Sequence, residues 1–466
     1  MSDLPLHGKP MIGMPLEEVR IALGGRWRGA PPAPGLEFKL ASNDTRALGD
    51  GDVYVALKGA RFDGHEFLKQ AREAGAVAAL INRSYEGELP AGLPCIEVED
   101  TLKSFGDIAR VRRESLHQTD FVAVAGSNGK TSTREMISAV LAKRGRVMRN
   151  QKNDNNLVGV PQTIFRVEPA HRYAVIELGT SLPGEIAQLT AMVRPSVAVL
   201  TNISEEHLEG LGSIEGVIEE EAAVFEHLTD DAIAVINYDD PNSMLARARA
   251  RCRVVSYGFD DRCEIRASNV VVTTEGTEFR LNGKHAFKLK LHGRHNVYNA
   301  LAAIAVGWIY GVSIDDMRAA LGSIEPVAQR MQVTVINEVV VFNDTYNANP
   351  GSMRAALKTL NDFTAKKHRI VCLGDMLELG AASASTHMKL AWTLATTQID
   401  LLVCVGPAMK LCGERVAEYG IPVAFFDSAE EAGAYLSTQL VPQDTLLVKG
   451  SRGMKMERAI EALKVS

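Results

Sequence analysis

One stretch, Gly126-Ser-Asn-Gly-Lys-Thr-Ser-Thr133, constrains this chain more than any other. It follows Phe121-Val-Ala-Val-Ala125, a short apolar run that suits a buried parallel strand. It precedes a segment in which Met136, Ile137, Val140 and Leu141 line one helical face, with Gly145 placed to end the helix. Between a strand and a helix, a glycine-rich turn can cradle phosphate. Glycines let backbone N–H groups turn toward phosphate oxygens, and the helix start adds its partial positive charge. Lys130 is placed to neutralise the β/γ-phosphates, and Thr131 Oγ to meet Mg²⁺. Gly126 stands three residues before Gly129, whereas the common GxxxxGK loop needs about five. The loop is therefore a shortened form, and its bland alternative is an ordinary tight turn.

Two further strands are expected at Ala174–Leu178 and Val197–Leu200. Glu177 comes near the end of the first. Asn202 and His207 follow the second, in Thr201-Asn-Ile-Ser-Glu-Glu-His-Leu208. Ligands gather at the carboxyl ends of strands in parallel α/β sheets. The loop, Glu177 and His207 are thus expected around one nucleotide, where a carboxylate and an imidazole fit divalent-metal ligation. Alone, His207 would read as a structural or surface histidine.

The rest of the chain sets the frame. Its 466 residues suit three domains of ordinary size. The formal net charge of −6 is spread along the chain, which argues against nucleic acid. Six cysteines form no CxxC pair and several sit in apolar stretches, so free buried thiols in a reducing compartment are expected. Met1-Ser-Asp-Leu-Pro-Leu-His7 lacks the apolar core of a signal peptide, and no run approaches the ~20 apolar residues of a membrane span. A cytoplasmic protein without stable membrane insertion is expected. The first region, to about residue 115, has strand-like runs at Val53–Leu57 and Val77–Ile81 and a loop at Gly29–Gly35. Between Cys263 and Gly293, Phe279 and Leu281 alternate with polar residues, Asn282-Gly283 supplies a turn, and Phe287, Leu289 and Leu291 alternate again. That pattern predicts an antiparallel arm on a parallel core. From Glu325-Pro326 onward, strands at Ile370–Leu373, Leu401–Val405, Val423–Phe426 and Leu446–Val448 alternate with helical segments, as in a doubly wound domain.

Taken in order, these motifs resemble the Mur ligase family. Gly126–Thr133, Thr201-Asn-Ile with His207-Leu208, and His295-Asn-Val-Tyr-Asn299 are similar to its successive signatures. Arg330 and Asp344-Thr-Tyr-Asn-Ala-Asn-Pro350 are similar to those of its C-terminal domains. The branch that adds D-alanyl-D-alanine is matched by Asn153–Asn156 with Gly159-Val-Pro161, Glu177–Thr180, Pro183–Ile186, Leu373–Gly380 and Val448–Met454. In the first region Asn43–Arg46, Gly51–Gly59 and Phe62-Asp-Gly-His65 resemble its UDP-binding domain. The resemblance implies an α/β protein of three domains. These are a UDP-binding α/β domain over 1–115, a central phosphate-loop, ATPase-like parallel sheet with a small antiparallel arm over 116–325, and a Rossmann-like domain over 326–466.

It also implies an ATP- and Mg²⁺-dependent ligase, usually a monomer, joining D-alanyl-D-alanine to UDP-MurNAc-tripeptide through an acyl phosphate. The resemblance then assigns roles. Lys130, His207 and Arg330 would be catalytic. Gly126, Ser127, Asn128, Gly129, Lys130, Thr131, Ser132, Asn299, Arg330 and Asp344 would hold the nucleotide, with Asn299 at the adenine, Asp344 at the ribose, and Arg330 reaching the γ-phosphate as the C-terminal domain closes. Thr131, Glu177, His207 and Glu221 would hold metal. Thr45, Arg46, Asp63, Gly64, His65, Asn347 and Asn349 would bind substrate.

The chain departs from the family at one place. Many Mur ligases carry a lysine after the histidine motif that CO₂ carbamylates to bind the second metal. Here Gly216–Phe225 aligns Glu221 with it, and no lysine lies between Asn202 and Phe225. Either Glu221 replaces the carbamate or that metal is held differently, and a solvated helix face over Glu219–Glu221 is the bland alternative. Folylpolyglutamate synthetase is disfavoured by the first-region motifs, and the ligase adding the third amino acid by Asp344–Pro350 and Leu373–Gly380. A nucleotide-driven switch or motor is disfavoured by the shortened loop.

Overall fold

The computed structural model describes residues 13–59, 62–151, 153–273 and 275–464. The N-terminal stretch expected to lack a signal sequence lies outside them. The chain divides into two compact units. The first comprises 1–123, 145–178 and 187–195, the second 124–144, 179–186 and 196–466.

In the first unit, five strands pair in the order Arg26–Arg28, Cys95–Val98, Ala78–Asn82, Val53–Val55, Ala41–Ser42. All neighbours are parallel except the edge pair of Arg26–Arg28 with Cys95–Val98. Its core gathers Tyr54, Leu68, Ala71, Ala79, Ile81 and Cys95. The unit also holds the parallel pair Val147–Arg149 and Tyr173–Glu177.

The strand Asp120–Ala125 runs from the first unit into the second, so the glycine-rich loop opens the second unit. There, Val197–Leu200, Ile233–Asn237 and Arg253–Gly258 pair in parallel. Ile265–Thr273 follows and leads into the expected antiparallel arm, Gly276–Leu281 with His285–Leu289. Asn282 and Gly283 make its turn in left-handed backbone, and Phe279 faces Phe287 with ring centroids 5.3 Å apart. The C-terminal sheet runs Gln332–Ile336, Val339–Asp344, Thr445–Lys449, Arg369–Gly374, Leu401–Val405, Val423–Phe426. Its last five strands are parallel and the first is antiparallel. Helices Ala429–Gln439 and Glu457–Ala462 cover one face through Ala432, Leu436, Ala459 and Ile460.

The structure corrects one expectation and adds one element the sequence did not reveal. The helix after the loop ends at Leu141, and Gly145 does not cap it. Gly145 is small for another reason, since a Cβ there would lie 2.9 Å from Arg172 Cβ. The hairpin Gln332–Ile336 with Val339–Asp344 was not foreseen, because Thr334 and Val335 are both exposed and give no clean alternation. All six cysteines are free and five of them are buried. No described helix is long and apolar enough to cross a membrane.

Phe279 is almost wholly buried in the arm. Phe279→Ala should cost about 3–5 kcal/mol, read as a lower urea midpoint. A shift below about 1 kcal/mol would show that the arm is not held by this ring pair.

Candidate active site

Gly129 is the N-cap of helix Lys130–Leu141 and has a φ of +81°. A Cβ there would stand 2.4 Å from Asn299 Oδ1, so only glycine fits between the loop and that amide. Side chains after strand Val197–Leu200 fasten the loop. Ser127 N–H donates to Asn202 O at 2.7 Å, and Ser127 Oγ exchanges hydrogen bonds with the Ser204 backbone. Asn202 Nδ2 donates to Asn128 O at 2.8 Å, and Asn128 Nδ2 to Ser204 Oγ at 2.8 Å. The loop is thus pre-shaped, with Lys130 and Thr131 at the first positions of the helix.

The glutamate run is not a solvated face. Only Glu219 is exposed, paired with Arg249. Glu220 is buried and accepts from Thr180 Oγ1, Gly184 N–H and Ile186 N–H. Glu221 is 1% exposed and its Oε2 accepts from Gly126 N–H at 2.7 Å. Burial pushes the Glu221 carboxyl upward, Lys130 pulls it down, and Glu206 pushes it up again. Glu206, which no sequence motif singles out, is also buried. Its Oε2 lies 3.8 Å from Lys130 Nζ and 4.0 Å from His207 Nε2, and its Oε1 has no hydrogen-bond partner among the described residues. A buried carboxylate oxygen with no donor suits a cation.

Asn299 sits in a chain of hydrogen bonds. Thr133 Oγ1 donates to Asn299 Oδ1, Asn299 Nδ2 to Asn296 Oδ1, and Asn296 Nδ2 reaches His295 Nε2 at 3.1 Å. Since Nε2 accepts, Nδ1 carries the proton and faces Thr359 Oγ1 at 3.4 Å, which in turn donates to Ala355 O. The His295–Asn299 motif therefore links the loop helix to the C-terminal helix Pro350–Asp362. That helix begins beside the loop. Asn349, its N-cap, donates from Nδ2 to Asn128 Oδ1 at 3.0 Å, and a Cβ on Gly351 would lie 2.6 Å from Ser204 Oγ.

Three loops leave adjacent strands of the C-terminal sheet on the same side. Asp344, the last residue of its strand, accepts from Lys449 Nζ at 2.7 Å and, through Oδ1, from Met331 N–H. Lys449 also donates to Asn347 O, and Asn347 Oδ1 accepts from Arg452 N–H. Ser451 Oγ donates to Ala348 O and accepts from Leu377 N–H. Arg330 stacks on Tyr346 at 4.0 Å. Lys449 and Ser451 lay inside a motif quoted from the sequence, but nothing in one dimension reveals that they stitch the three loops. His207 Nδ1 pairs with Glu378 Oε2 in the Leu373–Gly380 loop at 2.6 Å.

In the first unit, Glu177 is framed by amides: Asn155 Nδ2 donates to its Oε1, and Asn150 bonds its backbone on both sides. Thr45 opens a short turn in which Asp44 accepts from Arg46 N–H and pairs with the Arg46 side chain. Asp63 caps Gly64–Phe67 and holds His65 Nδ1 at 2.5 Å, while His65 Nε2 accepts from Asn82 N–H. Gly64 O accepts from Tyr54 OH. Both His65 nitrogens are thus spent within the fold. Among the described residues, no three His, Cys, Asp or Glu side chains gather as a metal-binding group.

A pre-shaped phosphate loop in an α/β unit, fastened to the carboxyl-end loops of a second parallel sheet, defines a nucleotide-dependent enzyme assembled from two sheets. Three family models match in turn: Mur ligase family, catalytic domain, over 37–113; Mur ligase middle domain over 124–307; and Mur ligase, glutamate ligase domain, over 329–452. The chain is 35% identical to the UDP-N-acetylmuramoyl-tripeptide–D-alanyl-D-alanine ligase of Escherichia coli, over 97% of this chain and 99% of that one. The Bacillus subtilis protein of the same name is 33% identical, over 91% and 92%. A crystal structure of MurF from Acinetobacter baumannii superposes with a TM-score of 0.89 at 29% identity, covering 98% of this chain and all of that one. MurF ligase from Thermotoga maritima in complex with ADP gives 0.81 at 26% identity, over 92% and 97%. The chain belongs to the Mur ligase family.

Burial pushes the His295 imidazole down to about 4 from an ordinary 6.5, with Asp344 opposing and Lys449 and His292 reinforcing. The unfolded chain then binds the proton first as pH falls. The stability held by neutral His295 is complete above about pH 6.5 and is lost progressively toward pH 4. His295→Gln should flatten the pH dependence of Tm across this window. An unchanged slope would show that the imidazole is not held neutral.

Proposed function

We propose that this chain ligates D-alanyl-D-alanine to UDP-MurNAc-tripeptide at the expense of ATP, giving UDP-MurNAc-pentapeptide, ADP and phosphate. The observation that carries this reading is the joining of the phosphate loop to a C-terminal helix N-cap through Asn128 and Asn349, in a chain related over nearly its whole length to ligases of that name. A carboxylate acylates poorly until it gains a leaving group. A tripeptide carboxylate oxygen attacks the γ-phosphorus, the bond to the β-phosphate oxygen breaks, and ADP leaves. The dipeptide amine then attacks the acyl carbon, the carbon–oxygen bond to phosphate breaks, and the amine sheds a proton.

Lys130, at the helix start, is proposed to offset charge growing on the phosphates, and Gly126 to Ser132 to cradle them. Arg330 and Asp344 are proposed to reach the nucleotide as the C-terminal region closes, with Asn299 buttressing the loop beside the adenine. Thr45, Arg46, Asp63, Gly64 and His65 are proposed to shape the UDP end, and Asn347 and Asn349 the peptide end. Mg²⁺ would supply charge neutralisation at the phosphates. Thr131, Glu177, His207 and Glu221 are proposed to hold it, and the donorless oxygen of Glu206 adds a fifth candidate. Mg²⁺ needs few protein ligands because phosphates and water fill the rest of its shell. Three domains over 1–115, 116–325 and 326–466 are proposed, supported by the three matched segments. Free thiols support a cytoplasmic location, and the chain is proposed to act as a monomer.

Phosphate release by purified protein should require ATP, Mg²⁺, a UDP-MurNAc-tripeptide and D-alanyl-D-alanine together. Equal turnover without the dipeptide, or with folate and glutamate, refutes the assignment. Lys130→Ala should lower kcat by ~10²–10³ in a folded protein. Glu221→Ala should raise the Mg²⁺ concentration needed for half-maximal rate, and an unchanged requirement leaves Glu221 as a loop anchor alone.

A further inference from the structure

His207 and Glu378 share an uncommon backbone state. Their φ angles are +47° and +62°, in the left-handed region that residues other than glycine seldom occupy. Such conformations are strained and persist where surrounding contacts over-determine them. Here the two residues supply contacts to each other. His207 Nδ1 meets Glu378 Oε2 at 2.6 Å, and Glu209 N–H donates to Glu378 O at 3.1 Å. The loop carrying Glu378 is itself fixed. Met376 N–H donates to His387 Nε2, and Leu377 N–H to Ser451 Oγ. His387 is fully buried. A rigid C-terminal loop therefore delivers one carboxylate to one imidazole nitrogen. The other nitrogen, Nε2, lies 4.0 Å from Glu206 Oε2, whose partner oxygen Oε1 has no donor among the described residues.

We propose that Glu378 is a positioning residue for His207. By accepting from Nδ1–H it fixes the tautomer that leaves the Nε2 lone pair available, and it aims that nitrogen as a ligand for a divalent cation. The hydrogen bond at one imidazole nitrogen sets the role of the other, and such carboxylate–histidine pairs commonly support metal sites. The site is then complete only when the Leu373–Gly380 loop is seated, so cation affinity reports on the C-terminal region. This inference rests on the reading of His207 as a metal ligand.

The test uses the full chain with isotopically labelled histidine. Ring nitrogen NMR reads the His207 tautomer, assigned by the loss of its signals in His207→Ala. Electron paramagnetic resonance reads Mn²⁺ binding in the presence of a nonhydrolysable ATP analogue. Wild type should show the Nδ1–H tautomer. Glu378→Ala should lose it and raise the Mn²⁺ Kd by ~10–100-fold. Glu378→Gln, which keeps an acceptor oxygen, should restore the tautomer and much of the affinity. Where Glu378→Ala does not fold, Glu378→Asp, which withdraws the carboxylate by one methylene, takes its place with the same two outcomes. An unchanged tautomer and Kd overturn the proposal. A weaker Kd in His207→Ala with none in Glu378→Ala overturns the positioning alone. No change in His207→Ala overturns the ligand reading and this proposal together.

Discussion

The buried pair of Lys449 and Asp344 is the contact on which the C-terminal half of the site depends. Lys449 is 2% exposed, and its ammonium is met by Asp344 Oδ2 and Asn347 O. Desolvating two charges is expensive, and breaking such a pair by removing one partner costs about 3–5 kcal/mol. Yet the pair does more than neutralise itself. It ends two adjacent parallel strands at the same level, with Asp344 opposite Lys449 in the register. Asp344 Oδ1 then holds the backbone at Met331, one residue past Arg330, where both Gln329 and Met331 are in left-handed backbone. One carboxylate thus sets the strand-end loops and the path by which the chain enters the C-terminal sheet.

The phosphate loop is shaped by a different economy. Its fasteners are neutral amides and hydroxyls: Ser127, Asn128, Asn202 and Ser204 exchange hydrogen bonds among themselves. Two acidic side chains join them: Glu221 Oε2 accepts from Gly126 N–H, and Glu206 stands near Lys130. Neutral fasteners leave the field at the loop to the lysine and the helix terminus, the terms that favour an anion. Glu206, 3.8 Å from the Lys130 ammonium, works against that field.

Periodicity made the strand, loop and helix around Gly126–Leu141 legible, and Asn282-Gly283 between alternating apolar residues did the same for the arm. Both signals are local. Glu220 was illegible, and Glu221 was reached only through the family resemblance, because their burial depends on N–H groups about 35 and 95 residues away, at Ile186 and Gly126. An acidic run in a helix looks solvated until its partners are seen. The hairpin at Gln332–Asp344 hid for the opposite reason, since an edge strand exposed at Thr334 and Val335 carries little apolar pattern. Among the site residues, Lys130 and Thr131 were placed by motif and helix start together. The engagement of His65 by Asp63 and Asn82, and of Asn299 by Thr133 and Asn296, is visible only in the folded chain.

The contacts between the loop side of the second unit and its C-terminal sheet differ in kind from those inside either. Asn128 with Asn349 is a single neutral hydrogen bond, worth about 0.5–1.5 kcal/mol net. Arg354 with Glu205 is an ion pair half open to solvent, worth about 0–1 kcal/mol. His207 with Glu378 and His295 with Thr359 add two further polar contacts, and His292 against Phe342 and Phe363 adds an aromatic cluster. Summed, these polar contacts amount to a few kcal/mol, whereas micromolar binding of a ligand releases about 8 kcal/mol. The seam therefore lies within reach of ligand binding. The Lys449–Asp344 pair lies inside the C-terminal sheet and would move with it as one piece. An enzyme that must admit a nucleotide and two further substrates would gain from that division, because its loops would keep their shape were the seam between them to open.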